Sequence, residues 1–260
     1  MVFNHMVFDP NIFNFLHSNT FKFTTIREPL QQFISSFEFF RKWPAGKYLQ
    51  DVPGPSPMHT FLANTSRYEM PGYLSLTNNR QSVDLGYDLN YSLSDTLYIQ
   101  QFIAMVEKHF DLVLISDFFD ESLVYLKRLL GWSTQDIIYF KKWSSSKKNK
   151  PEIDSRLRAD HYRHSVADRA LYDHFLEIFK RKISKQSGLS EEVREFRDVL
   201  RRVGEFCDSN DTGVKQLTIS SGAWTDGVSI LRSKCRWLRM PEIQFTGELK
   251  KQQTALLASS

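Results

Sequence analysis

Nowhere do eighteen apolar residues run together, so no segment reads as a membrane-spanning helix, and Met1-Val2-Phe3-Asn4-His5 lacks the layout of a signal peptide. Cysteine is scarce: Cys207 and Cys235 are the only two. They allow either one disulfide in an oxidising compartment or two buried thiols, and the sequence favours neither. There is no internal repeat. Nor is there a recognised nucleic-acid module or a basic stripe with interleaved aromatics, so nucleic acid is not expected as a partner.

What is present suits one large domain with a sizeable core: 260 residues, 41% hydrophobic and 14% aromatic, with 21 phenylalanines that point to an aromatic-rich interior. The net charge of +4 fits an anionic nucleotide or a sulfated product as well as nucleic acid, and does not discriminate among them. Its surplus lies in Lys141 to Lys150 and near the C-terminus. Asn64-Thr65-Ser66, Asn90-Tyr91-Ser92 and Asn210-Asp211-Thr212 are acceptor triplets for N-glycosylation and lean toward a secretory lumen.

The local patterns predict an α/β fold. Phe21 to Ile26 is β-branched and aromatic, as strands prefer, and Pro29 suits the first position of a helix, where its missing N–H costs nothing. Leu30, Phe33, Ile34 and Phe37 then fall on one helical face. Phe40 to Asn90, with turn marks at Pro53-Gly54-Pro55 and Pro71-Gly72, reads as a long irregular excursion with short helices, the kind of segment that carries substrate contacts. Ser94 is the expected cap of a helix reaching about His109. Asp111 to Ser116 is a continuous apolar run, as in a strand buried on both faces of a parallel sheet. A helix with Leu123, Leu126, Leu129 and Leu130 inward should stop at Gly131. Ser165 and Asp168 form a capping box for the next helix, and Ser190 starts another that carries Val193, Phe196, Leu200, Val203 and Cys207. Residues 208–260 read as a weakly ordered extension in which only Met240 to Leu249 looks structured.

Arg27, at the end of the first strand, and Ser35, on the solvent face of the following helix, are the pair with chemical meaning. At the usual rise Ser35 lies about 9 Å along the axis from Pro29, close enough for its hydroxyl and a long arginine to converge on one anion. A guanidinium can hold two phosphate oxygens at once. The alternative is a solvated strand-end arginine beside an exposed serine.

Several ordered blocks resemble one family, the Golgi galactose-3-O-sulfotransferases. They are Phe3 to Phe8, Arg27 to Phe40, Asn78-Asn79 with Asp84-Leu85-Gly86-Tyr87-Asp88, Phe110 to Leu130, and Leu171 to Phe175. The resemblance covers residues 1–207, the expected catalytic domain, and implies a P-loop-NTPase-like sulfotransferase fold, a parallel sheet flanked by helices. It implies transfer of a sulfuryl group from 3′-phosphoadenosine 5′-phosphosulfate to the 3-hydroxyl of galactose in a glycolipid or glycan, with no metal. On it, Arg27 and Ser35 hold the donor's 3′-phosphate, and His5 takes the sugar hydroxyl's proton. Asn78, Asn79 and Asp84 are candidate sugar contacts, although Asn-Asn-Arg is equally a turn. Lys147, Lys148 and Arg156 form a basic loop that could close over the donor or simply be solvated.

Two features of that family have no counterpart in the residues: the loop and lysine that hold the 5′-phosphosulfate, and the anchor that places such enzymes, as type II membrane proteins, in the Golgi lumen. The expectation is therefore a domain that is N-terminally incomplete, has little or no activity by itself, and reaches the Golgi membrane only through an absent anchor. The competing reading is a non-catalytic sugar- or nucleotide-binding remnant.

Overall fold

The computed structural model describes residues 6–69, 75–90, 95–140, 152–211 and 213–258. Along the chain these form β1 (Phe23–Ile26), α1 (Pro29–Phe40), α2 (Lys47–Gln50), α3 (Pro57–Ala63), α4 (Thr65–Tyr68), α5 (Arg80–Asp84), α6 (Thr96–His109), β2 (Leu112–Ile115) and α7 (Phe119–Leu130). Then come α8 (Ser155–His164), α9 (Val166–Ser184), α10 (Leu189–Asp208), β3 (Gln216–Ile219), β4 (Val228–Leu231), α11 (Arg232–Arg239) and α12 (Glu242–Ala258). The fold is α/β, mostly helical with a small parallel sheet, and divides into two compact units. One comprises Met1–Phe119 with Pro151–Ser184, the other Asp120–Lys150 with Lys185–Ser260.

In the first unit β1 and β2 pair in parallel, with Phe23 opposite Leu112 and Ile26 opposite Ile115. All four residues of β2 are buried, as its unbroken apolar run predicts. The strand entrances are tied together: Lys22 N donates to the Asp111 carboxylate at 2.6 Å and Asp111 N to the Lys22 carbonyl at 2.8 Å. Helix α9 packs on β2. Helix α1 turns Leu30, Phe33 and Phe37 into a core shared with Phe61 of α3 and Leu157 of α8. His161 and His164, also on α8, lie against the Phe33 ring, and His164 meets Phe61 edge-on. Their aromatic surroundings exclude water, and burial pulls the two imidazoles down to about 3 and about 4, so both are neutral at pH 7.

The second unit shows what weak patterning conceals. Residues 208–260, read from sequence as a weakly ordered extension, hold the antiparallel hairpin β3–β4 and two helices. The hairpin buries Ile219, Val228 and Ile230 against Val199, Val203 and Phe206 of α10. Strands of four residues that alternate buried and exposed leave too short a trace to read in sequence. Cys207 and Cys235 form a disulfide that ties the end of α10 to α11.

Three local expectations change. Asp95, through its side chain on Tyr98 N at 3.0 Å, caps α6; Ser94 lies outside the described residues. Helix α7 stops at Gly131 as expected, with φ +66° and Trp132 N on the Lys127 carbonyl. Of the leucines expected inward Leu126 is buried, Leu123 and Leu130 are partly buried and Leu129 is exposed, while Val124 and Tyr125 join the buried face. Lys127 is buried on that helix as well, on Glu192 at 2.8 Å, beside Arg128 on the same carboxylate at 2.6 Å. Ser165 and Asp168 make no capping box, because the Asp168 carboxylate is engaged elsewhere.

Two stability predictions follow from these contacts. Replacing both cysteines by alanine should lower stability by about 3–4 kcal/mol from loop-closure entropy alone, read as a shift in the urea midpoint. Unchanged midpoints would show that the bond constrains little. For the histidines, an unfolded imidazole binds a proton below about pH 6.5, whereas the folded ones refuse it until about 4 and about 3. Acid therefore favours the unfolded chain, and stability falls as pH drops from about 6.5 toward 4. Asp168, which burial pushes up to about 6, opposes one of the two over that window. His161→Phe should flatten the decline in urea midpoint between pH 7 and pH 5, and an unaltered slope would refute the assignment.

Candidate functional site

The two parallel strands end level with each other, and the residues just past their carboxyl ends carry the polar groups. In open α/β sheets this is where ligands bind. After β1 come Arg27 and Glu28; after β2, Ser116 and Asp117. Glu28 N donates to the Asp117 carboxylate at 2.8 Å, and the Tyr172 hydroxyl of α9 reaches the same oxygen at 3.3 Å. Burial, reinforced by the Asp117 charge, pushes the Tyr172 phenol up, so it stays a neutral donor.

The N-terminus of α1 is already satisfied. Glu28 caps it, its carboxylate accepting from Leu30 N at 3.2 Å and Gln31 N at 2.8 Å; Pro29 has no N–H, and Gln32 N bonds to the Glu28 carbonyl. A helix start usually attracts anions, but here a carboxylate occupies it. The first amides of α1 are therefore not free for an anion at this edge. Arg27 and Ser35 are both exposed, and the Arg27 guanidinium makes no hydrogen bond or ion pair with the described residues. Ser35 follows Glu28 by seven positions, two turns along one face of α1, and Gln31 lies between them on that face.

Behind this edge lies a buried polar hub joining α5 to α9. Asp168 receives Ser82 N at 2.7 Å and Gln81 N at 3.3 Å, while its own N–H donates to Asn79 Oδ1 at 2.9 Å. Asn79 has φ +46°, in the left-handed region that asparagine tolerates better than most residues. Its side-chain nitrogen also donates to Asn78 Oδ1 at 2.8 Å. The preceding turn is held from Glu69, which accepts from the hydroxyls of Ser75 at 2.8 Å and Thr77 at 2.7 Å. Gln81 leads outward from the hub to the strand end, where its side-chain amide bonds the Arg27 N–H at 2.7 Å and the Arg27 carbonyl at 2.9 Å.

The expected residues thus fare differently. Arg27 follows the carboxyl end of β1 and Ser35 lies two turns beyond Glu28 on α1, both exposed. Asn79 has no exposed surface and serves the hub; Asn78 is half-buried beside it. Asp84 is paired with Arg80 one turn earlier on α5, at 3.1 Å to the Arg80 Nε. Arg156 is exposed on α8, 3.7 Å from Asp160. His5, Lys147 and Lys148 lie outside the described residues. Asn64, Asn90 and Asn210 are exposed, and the Ser66 hydroxyl donates to Asn64 Oδ1 at 3.0 Å. No group of three or more metal-ligating side chains comes together among the described residues, and no helix there is long and apolar enough to cross a membrane. Gln81, Asp117 and Asp168 escaped sequence reasoning because each acts on backbone more than fifty positions away. Only the position of Gln81, directly after Asn78-Asn79-Arg80, offered a hint.

Comparisons with known proteins identify the family. A family model described as galactose-3-O-sulfotransferase matches residues 1–221. The mouse galactose-3-O-sulfotransferase 3 is 28% identical, over 97% of this chain and 64% of its own length. The bovine galactosylceramide sulfotransferase is 30% identical, over 96% and 63%. The mouse galactose-3-O-sulfotransferase 2 is 31% identical, over 83% and 55%. The chain therefore spans less than two thirds of the length of these relatives. No solved structure matches it. With matched residues running from the first strand through the hub and on to the hairpin, the chain belongs to the galactose-3-O-sulfotransferase family.

Proposed function

We propose that this chain carries the donor-binding edge of a sulfotransferase that passes the sulfuryl group of 3′-phosphoadenosine 5′-phosphosulfate to the 3-hydroxyl of a galactose in a glycolipid or glycoprotein. The observation that carries the reading is the Arg27 guanidinium, unpaired among the described residues, at the carboxyl end of a parallel strand, with the Ser35 hydroxyl on the helix that follows. We read both as ligands of the phosphate, in a place where Glu28 already takes the Leu30 and Gln31 amides of α1. The fold we assign is the P-loop-NTPase-like sulfotransferase arrangement, of which β1, α1 and β2 are the 3′-phosphate side.

In the reaction the galactose O3 attacks sulfur in line as the bond from sulfur to the 5′-phosphate oxygen breaks. The products are the sulfate ester and adenosine 3′,5′-bisphosphate, and the hydroxyl proton passes to a base. Such transfers depend on positioning and on stabilising charge more than on covalent participation by the protein. His5 is the proposed base, since imidazole titrates in the useful range. Asn78 and Asp84 are the proposed sugar contacts, and Asn79 is reassigned as the support that shapes the turn carrying Asn78. We place the protein in the Golgi lumen, on the strength of the Cys207–Cys235 disulfide and the exposed acceptor asparagines Asn64, Asn90 and Asn210.

Isothermal titration with adenosine 3′,5′-bisphosphate and adenosine 5′-monophosphate tests the donor site directly. The bisphosphate should bind more tightly. Arg27→Ala should weaken it by about tenfold to a hundredfold, and Ser35→Ala by about threefold to tenfold, as expected for a charge-assisted and a neutral hydrogen bond. Equal affinity for the two nucleotides would overturn the reading.

A further inference from the structure

Gln81 holds Arg27 by both of its peptide groups. Arg27 N donates to Gln81 Oε1 at 2.7 Å, and Gln81 Nε2 donates to the Arg27 carbonyl at 2.9 Å. A side-chain amide carries the same donor and acceptor as a peptide, so it does for Arg27 what a neighbouring strand would do one residue further along the sheet. On the next residue, Glu28 N is taken by Asp117. The backbone of Arg27 and Glu28 is thereby pinned by two elements without any use of the Arg27 side chain.

From this we infer that Gln81 is a positioning residue for the phosphate grip: it fixes the backbone from which the Arg27 guanidinium reaches the donor's 3′-phosphate. The inference rests on the donor-site reading given above. Gln81 is itself immobilised, since it stands near the start of α5, where its own N–H donates to Asp168 and Ser82 N donates to the same carboxylate. The path from the buried hub to the exposed arginine is a single side chain. Holding the backbone in advance removes the entropy of ordering that residue when ligand arrives, which is how preorganisation raises affinity.

The neutral amide is also the suitable group chemically. A glutamate at 81 could still accept from Arg27 N, but it would set a second acceptor against the Arg27 carbonyl. Its charge would also compete with a phosphate for the guanidinium. Gln81→Glu keeps the volume and removes one half of the clamp; Gln81→Leu removes both halves.

The test combines amide hydrogen exchange with a double-mutant cycle on nucleotide binding. In Gln81→Leu the Arg27 amide should exchange about tenfold faster or more, and affinity for adenosine 3′,5′-bisphosphate should fall about fivefold to twentyfold. Affinity for adenosine 5′-monophosphate should hold, and in an Arg27→Ala background the same change should have no further effect. Gln81→Glu, the near-isosteric variant, should lose the preference for the 3′-phosphate even if the leucine variant folds poorly. An unchanged Arg27 amide, an equal loss for both nucleotides, or an undiminished loss without Arg27 would overturn the inference and leave the donor site standing. A wild-type chain that bound both nucleotides equally would instead overturn the donor-site reading, and the inference with it.

Discussion

The buried Asp168 carboxylate orders the functional edge of the first unit. It accepts the Gln81 and Ser82 amides in the first turn of α5 while its own peptide N–H is held by Asn79, so a five-residue helix and the turn before it are fixed to α9. So short a helix has no stability of its own in water, and tertiary contacts must supply it. Without Asp168, two amides would be buried with no acceptor, each a loss of roughly 1–3 kcal/mol. Everything that α5 carries outward, Gln81 above all, inherits its position from this contact.

The arrangement separates two tasks. In the interior the polar groups are paired or neutral: His161 and His164 are held uncharged among phenylalanine rings, and the hydroxyls of Ser75 and Thr77 converge on Glu69. The edge is charged and open, with Arg27 free of protein partners among the described residues. Glu28 and Asp117 lie close by, yet Glu28 faces the α1 amides and Asp117 accepts from Glu28 N and Tyr172. Both nearby carboxylates are engaged with donors other than the arginine. That leaves its charge available to an anion.

Much of the fold was legible because it depends on local pattern. The unbroken apolar run of β2, Pro29 opening α1 and Gly131 closing α7 each express a near-neighbour rule. The family resemblance, carried by ordered blocks, was also legible. The hub was not. Asp168 looks like a capping residue in sequence because an acid three positions after a serine usually is one, whereas in the fold it serves α5. Asn79 looks like a sugar contact until burial is known. The hairpin β3–β4 is too short for its alternation to stand out, and the burial of Lys127 on Glu192 in α7 is a pairing that hydrophobic periodicity cannot anticipate. In each case the deciding partner is distant in sequence.

The most direct test of the account is a crystal structure of the chain with adenosine 3′,5′-bisphosphate bound. The 3′-phosphate should lie at the carboxyl end of β1, its oxygens within hydrogen-bond distance of the Arg27 guanidinium and the Ser35 hydroxyl, with the Gln81 amide still on the Arg27 peptide. A nucleotide bound elsewhere, or one at this edge with Arg27 turned away from the phosphate, would contradict it.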